Sequence, residues 1–341
     1  MDSSKRKRIF IVIPGIFTVI ASALILLSQN FWVVSLSQVA TAIAGAAIGP
    51  AVVGITLGIV KQKGFNRQNG LNQAFNHAGN VVGAGLSGYL GLKYGMHAIV
   101  LLAALFGILS IVSVLMIPSK SIDNDAARGV ANDKGENENV SGLKVLLKCK
   151  PLLILAAALA FFHLGNGALL PLYGMAAASK MQENAYMFVA LTVIIAQVVM
   201  ILASIAGMKI AEKNGYWMIM LISFISLPIR GLIASQMISE VGLYPVQILD
   251  GIGAGLQSVA VPALVAHILN GTGRINIGQG AVMTVQGVGA ALSPAIGGWI
   301  AQQIGYSHAF VILGFFAVVS IILWFYNAET MKKECAPSSN H

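Results

Sequence analysis

The chain is poor in charge: only 10% of its 341 residues are Asp, Glu, Lys or Arg, against about 25% in an ordinary soluble domain. That shortage excludes a water-soluble exterior over most of the molecule, because a dissolved protein of this size spreads charge across its surface. Acidic residues are the scarcer kind, 12 against 21 basic. Cysteine is nearly absent. Cys149 and Cys335 fall in polar segments, which excludes a disulfide framework and reads as a reduced pair facing the cytoplasm. Also missing are a phosphate-binding loop, a cluster with metal-ligand spacing and a nucleophile elbow; the GTGR run at 271–274 has none of these spacings. Neither enzyme chemistry nor a resident metal or cofactor is therefore expected.

What the chain does have is apolar length, with 57% hydrophobic residues. Runs of about 20 apolar residues, the length that crosses a bilayer, occupy 9–27, 32–60, 69–91, 96–117, 151–178, 185–208, 215–236, 242–268, 275–301 and 307–326. They predict about ten transmembrane helices, with the lipid bilayer as the main partner. The first run follows Lys5-Arg6-Lys7-Arg8 and lacks a small-residue cleavage site, so it reads as an anchor. A cytoplasmic N-terminus puts Lys61, Lys63, Arg67, the basic residues from Lys120 to Lys150, Lys209, Lys213, Arg274, Lys332 and Lys333 inside, and only Lys93 and Lys180 outside. This asymmetry predicts that both termini are cytoplasmic and that the protein is multi-pass in the plasma membrane, or the inner membrane of a bacterium. It also explains the net charge of +9 without a nucleic-acid partner.

The long polar stretch 118–150 has no apolar periodicity and reads as a cytoplasmic linker. It divides a partial bundle of four spans, 1–117, from a six-span bundle with a short tail, 151–341. A shift of 210 residues lays one part over the other: Gly79, Gly83, Ala84, Ser87 and Gly88 meet Gly289, Ser293, Pro294, Gly297 and Gly298, while Tyr89 meets Trp299 and Asp2 meets Glu212. Two halves in the same orientation are a parallel-repeat transporter architecture. Under this shift the runs at 151–178 and 185–208 have no partner after Met1.

At these residues the chain resembles the major facilitator superfamily, whose two six-helix halves enclose a central solute cavity. The resemblance implies an all-α membrane protein of about ten helices in two pseudo-repeated bundles (4 + 6), matching the family's third to twelfth helices and apparently lacking the first two. Asp2 with Lys5-Arg6-Lys7, and Glu212-Lys213-Asn214-Gly215, are similar to the family's gating loop motif. Gly79, Gly83 and Gly88, and their copies Gly289, Pro294, Gly297 and Gly298, are similar to its fifth-helix exporter motif; small residues there suit close helix packing or gating. The fourth-helix pattern has Gln38 and Gln247 where the family has Arg.

Ionisable and polar groups at membrane depth mark candidate sites for substrate or coupling. They are Arg230 and Asp250 on consecutive spans, His163 and Asn166 in a run loosened by Gly165, Gly167 and Pro171, and Asn76 with His77 in a stripe shared with Asn72 and Asn80. Arg230 with Asp250 reads first as a structural salt bridge locking these helices, and next as a charge pair that opens on protonation of the Asp or on substrate binding. The function implied is secondary active transport of a small organic solute, as an exporter working by proton antiport and alternating access. The alternative is a transport-incompetent truncated transporter or a membrane scaffold.

Overall fold

A computed structural model describes residues 6–28, 30–130, 146–178 and 185–336. Asp2 and residues 131–145 of the polar linker lie outside the described residues. In lipid every backbone amide must find its partner within the segment, and the apolar runs accordingly form helices. They are α1 (Ile9–Leu27), α2 (Phe31–Tyr94), α3 (Met96–Leu115), α4 (Lys150–Asn166), α5 (Leu169–Ala178), α6 (Ala185–Asn214), α7 (Trp217–Gln236), α8 (Glu240–Ile268), α9 (Ile275–Ile304), α10 (Tyr306–Tyr326) and the short α11 (Ala328–Glu334).

The 64 residues of α2 are two passes rather than one rod. Lys61 leaves the helical region with φ 56° and ψ −177°, and Asn72 Nδ2 donates to Thr56 Oγ1 at 3.0 Å. Residues 16 apart on a straight helix stand about 24 Å apart, so the chain must fold back between them. With α2 counted as two arms, 31–60 and 62–94, and α4–α5 as one broken pass, the described residues make ten passes, the number anticipated.

The break between α4 and α5 falls where Gly165 and Gly167 loosen the run. The freed amide of Ala168 is recovered by Ser293 Oγ of α9 at 2.8 Å. A Cβ on Gly167 would stand 2.7 Å from the Ala290 carbonyl oxygen, so only glycine lets the two helices approach this closely.

Burial is uneven. The bundle after the linker has a continuous core in which Phe162, Phe224, Phe310 and Trp324 are packed with Leu155, Leu159 and Leu313. The bundle before it has a smaller cluster of its own, Ile11, Ala51 and Ile55 with Ile122 of the linker, while its Val53, Leu57 and Phe65 join the larger core. Helix α3 is 6% buried over its apolar window where α7 and α8 are 61%, so its surface is left for lipid or another segment. Its carbonyl end is tied down by Arg8, whose Nη1 donates to Leu115 O at 3.0 Å and Ile117 O at 2.8 Å. The bundles meet where the second arm of α2 packs on α6 and α8.

The linker departs from the expectation of a structureless tether at its start. Short 3₁₀ turns at Ser119–Ser121 and Ala126–Arg128 bury Ile122 and Ala127. Asp123 N donates to Gly58 O at 2.9 Å and Asn276 Nδ2 of α9 donates to Ala127 O at 2.9 Å. The polar composition hid this because the contacts are backbone bonds and two small apolar side chains, which carry no periodicity.

Candidate functional site

Arg230 and Asp250, separated by 20 residues, are brought together because α7 and α8 run antiparallel and pack along their length. Arg230 lies six residues before the end of α7 and Asp250 ten after the start of α8, about 9 and 15 Å along the axes. Arg230 Nη1 donates to Asp250 Oδ1 at 2.6 Å, with side-chain exposures of 1% and 14%. The same Nη1 donates to Asn166 Oδ1 of α4 at 2.6 Å. Three sequence candidates thus form one cluster spanning α4, α7 and α8. The guanidinium is not exhausted by these bonds: Nε and Nη2 are buried without a partner, as are both amide atoms of Gln247, one turn from Asp250. A buried polar atom with no partner is uncommon and calls for a functional or structural explanation.

His163 joins the same region from α4. Its Nε2 lies 3.2 Å from Gln286 Nε2 of α9, so the ring nitrogen accepts from the amide, and Gln257 of α8 stands within hydrogen-bonding distance. Gln257 Nε2 in turn donates to Ser223 Oγ of α7 at 2.8 Å, and that hydroxyl donates to Gly253 O at 2.9 Å. Gln257 and Gln286 had no distinct role in the sequence reading. One polar residue per helix carries no pattern until four helices converge.

The second candidate group splits by helix face. Asn72 and Asn76 line an open groove of about 1160 Å³ between α1, both arms of α2 and α3, with Thr56, Gln68, Ser110 and Ser113 adding polar atoms. His77 instead turns to the other bundle. The ring is buried with Nδ1 2.7 Å from Gln197 Oε1 of α6 and Nε2 3.3 Å from Ser258 Oγ of α8. Asn80 serves both sides, lining the groove and donating to Gln197 Oε1 at 3.3 Å. Nearer the basic end of this arm, Asn69 Nδ2 donates to Val259 O at 3.2 Å and Asn66 Nδ2 to Met208 O at 3.3 Å. The polar stripe is therefore two faces. Four-residue spacing suggested one, but His77 sits one residue out of step with Asn72, Asn76 and Asn80, about 100° around the helix.

The glycine motif behaves unequally. Gly289 is pressed against the Ala160 carbonyl, and a Cβ on Gly297 would meet Leu172, Ala168 and Leu313 at 2.9 to 3.0 Å. Pro294 lies within α9 between them, and Gly88 is buried. Close packing does not extend to Gly79 or Gly298, where an added Cβ would meet no atom of another element within 4 Å among the described residues, and at Gly83 it would meet Phe106 at 3.8 Å. Gly79 opens onto the groove instead. Glu212 is exposed near the end of α6.

Beyond the last pass, the chain returns to the bundle. Tyr216 N donates to Cys335 O at 2.8 Å, and Tyr216 OH donates to Asn66 Oδ1 at 3.0 Å. Burial pushes the Cys335 thiol up to about 12, with Glu334 adding to the effect, and burial raises the Tyr216 phenol in the same way.

The family model of the Major Facilitator Superfamily matches residues 1–276 and 231–340. Two curated relatives from Mycobacterium tuberculosis, the uncharacterized MFS-type transporters MT2531 of strain CDC 1551 / Oshkosh and Rv2456c of strain H37Rv, are each 35% identical over 326 residues, covering 95% of this chain and 78% of theirs. Among solved structures, the human organic anion transporter MFSD10 (TETRAN) aligns with a TM-score of 0.69 at 13% identity, over 93% of this chain and 77% of that one. The transporter FucP in its outward conformation aligns with a TM-score of 0.68 at 13% identity, over 95% and 84%. At that identity the likeness is one of fold. The ten-pass helical architecture, the family model and the curated relatives agree, and the chain belongs to the major facilitator superfamily of membrane transport proteins, which are not enzymes.

Proposed function

We propose that the protein is a secondary active transporter of a small organic solute, working as an exporter by proton antiport and alternating access. The observation that carries this is the Arg230–Asp250–Asn166 cluster. A charge pair at membrane depth is costly, and here the guanidinium keeps two buried donors unspent beside an acid that is not fully covered. Protonation of Asp250 would release Arg230 from its anion, so that solute and proton compete for one pair. His163, with Gln257 and Gln286, supplies adjoining polar atoms for a solute. In this reading 1–117 and 151–341 are the bundles that rock, 118–150 tethers them, and both termini face the cytoplasm. One structural neighbour is described as an organic anion transporter and another as a fucose:proton symporter; an organic solute and a coupling proton are the features borrowed here.

The test uses purified protein in liposomes loaded with a pH-sensitive dye. Adding panels of organic acids, organic cations and sugars in turn is expected to drive protons against the direction of one solute class, and Asp250→Asn is expected to stop the proton movement while solute exchange persists. Co-directional movement would replace antiport by symport. No solute-linked movement with folded protein would favour the second reading, a transport-incompetent chain or scaffold. The observation on that side is the open groove between α1, the arms of α2 and α3.

A further inference from the structure

The start of the linker is built into both bundles, at the end of the molecule that carries Lys61, Lys63, Lys120, Arg128 and Arg274. On the first bundle, Asp123 N donates to Gly58 O at 2.9 Å, and Ile122 joins the apolar cluster of Ile11, Ala51 and Ile55. A Cβ on Gly58 would meet Ile122 Cγ2 at 2.7 Å, the Asp123 carbonyl oxygen at 2.9 Å and Ala127 Cβ at 3.2 Å. All three belong to the linker. On the second bundle, Asn276 Nδ2 donates to Ala127 O at 2.9 Å, Gly273 N donates to Gly129 O at 3.2 Å, and Val130 bridges to Gly271 and Thr272. Gly129 has φ 72°, and a Cβ there would run into the Ile275 side chain, so the position needs glycine for its backbone and for its clearance. Residues 122–130 therefore fill the layer between the first arm of α2 and the turn from α8 to α9.

This layer is a compact turn rather than an extensible strand. Ala127 N donates to Asp123 O at 3.0 Å and Gly129 N to Ala126 O at 3.0 Å. Asp123 Oδ1 accepts from Asp125 N at 2.9 Å and Ala126 N at 3.1 Å, and Arg128 pairs with Asp125 at 2.7 Å. Stretching the turn would break these bonds, so it moves as a unit. It cannot keep its partners on both sides if the bundles separate at this end. The first bundle has the firmer hold: Ile122 and Ala127 are buried, with Gly58 against both, and the turn follows α3 within a few residues, whereas the path to α4 runs through 131–149. The second bundle holds it by the hydrogen bonds from Asn276 and Gly273, the Val130 bridges and the contact of Gly129 with Ile275.

We propose that residues 122–130 are a latch. The turn rides on the first bundle, holds the basic end shut by gripping the start of α9 and the turn before it, and lets go of them each time that end opens. Direct contacts between the first arm and α9, Gly54 with Asn276 and Gly49 with Met283, lie deeper along the arm, so the latch is the outermost layer of the closure. The proposal rests on the transport reading only in that the bundles rock, and the latch itself is measured without any solute.

The experiment reads three pairs of spin labels by pulsed electron spin resonance, in full-length protein carrying Cys149→Ser and Cys335→Ala in lipid nanodiscs. Lys63→Cys with Asn270→Cys spans the two bundles, Ser121→Cys with Asn270→Cys spans latch and turn, and Lys63→Cys with Ser121→Cys stays within the first bundle; all three positions are exposed. The first pair is expected to be mostly short in the parent protein. Gly129→Val drives a side chain into Ile275, and Asn276→Ala removes the donor to Ala127. Each is expected to enlarge the long-distance population of the first pair several-fold, with the second pair lengthening in parallel and the third unchanged. Should Gly129→Val fail to fold, Asn276→Ala gives the reading by itself. Distributions of the first pair that match the parent in the folded variants overturn the latch. So does a long population in which the third pair lengthens and the second stays short, since the turn would then ride on the second bundle. Opening that responds to these variants in a protein that moves no solute would retain the latch and reject the transport reading.

Discussion

At the scale of single residues, the structure brings Arg230 and Asp250 to 2.6 Å with Asn166 as a third partner. Removing one member of a buried pair leaves the other charge uncompensated, a loss of about 3 to 5 kcal/mol. Asp250→Asn and Arg230→Gln are each expected to lower the thermal stability of the purified protein sharply, and the double change to recover most of it. Additive losses in this cycle would show that the pair does not act as a unit. Cysteine reactivity offers a second check. Cys335 is 1% exposed and its thiol is pushed up to about 12, whereas Cys149 is partly exposed. Because the thiolate is the reacting form, maleimide at pH 8 is expected to label Cys149 in folded protein and spare Cys335 until detergent unfolding. The linked stability has a definite sign. The folded state holds the Cys335 proton above the ordinary value of 9.0, so this contribution is intact below about pH 9 and is lost as pH rises from there towards 12.

At the scale of elements, the sharp reversal in α2 rests on one residue in an unfavourable conformation. Lys61 has a positive φ, in a region that glycine occupies freely and other residues at a cost of about 1 to 3 kcal/mol. Its own ion pair with Asp123, 3.9 Å long between exposed groups, gives little in return. Lys61→Gly is therefore expected to stabilise the protein by roughly 1 kcal/mol, visible as a raised melting temperature; a fall would mean that the Asp123 contact matters more than the backbone. The opposite outcome is expected at the crossing of α9 with α4. Gly289 faces the Ala160 carbonyl so closely that any side chain must push the helices apart, and Gly289→Leu should cost stability while the same change at Gly298, which faces open space, should be tolerated. Of the glycine motif, the sequence showed the spacing but not which member touches a neighbour, because contact depends on how each helix is rotated about its axis.

At the scale of the whole molecule, the positive-inside asymmetry makes a topological prediction. Reporter fusions at Asn124 and at His341 are both expected to report the cytoplasmic side, and an external signal at either would overturn the orientation. The ordered start of the linker gives this scale a mechanical element as well. Asp123 to Gly58 and Asn276 to Ala127 tie the first arm of α2 to α9 through residues 123–127, so the two bundles are joined at that end by more than a covalent tether. The groove between α1, α2 and α3 and the thin core of the first bundle contrast with the filled core of the second, an imbalance that the evenly apolar sequence did not reveal.

Sequence alone determined the solvent, the number of passes and the depth of the charged groups. Each follows from local arithmetic: the length of an apolar run against the thickness of a bilayer, and the cost of placing charge within it. It also brought out Arg230 and Asp250, since ionisable residues are conspicuous in an apolar run, and the α4–α5 break, since glycine and proline mark it directly. Tertiary structure alone decided which polar residues meet. His77, Gln197 and Ser258 lie on three helices, up to 181 positions apart, and nothing in their spacing announces a common site. Helix rotation and crossing, set by where small residues let backbones approach, put them at one seam and turned Asn72 and Asn76 away from it.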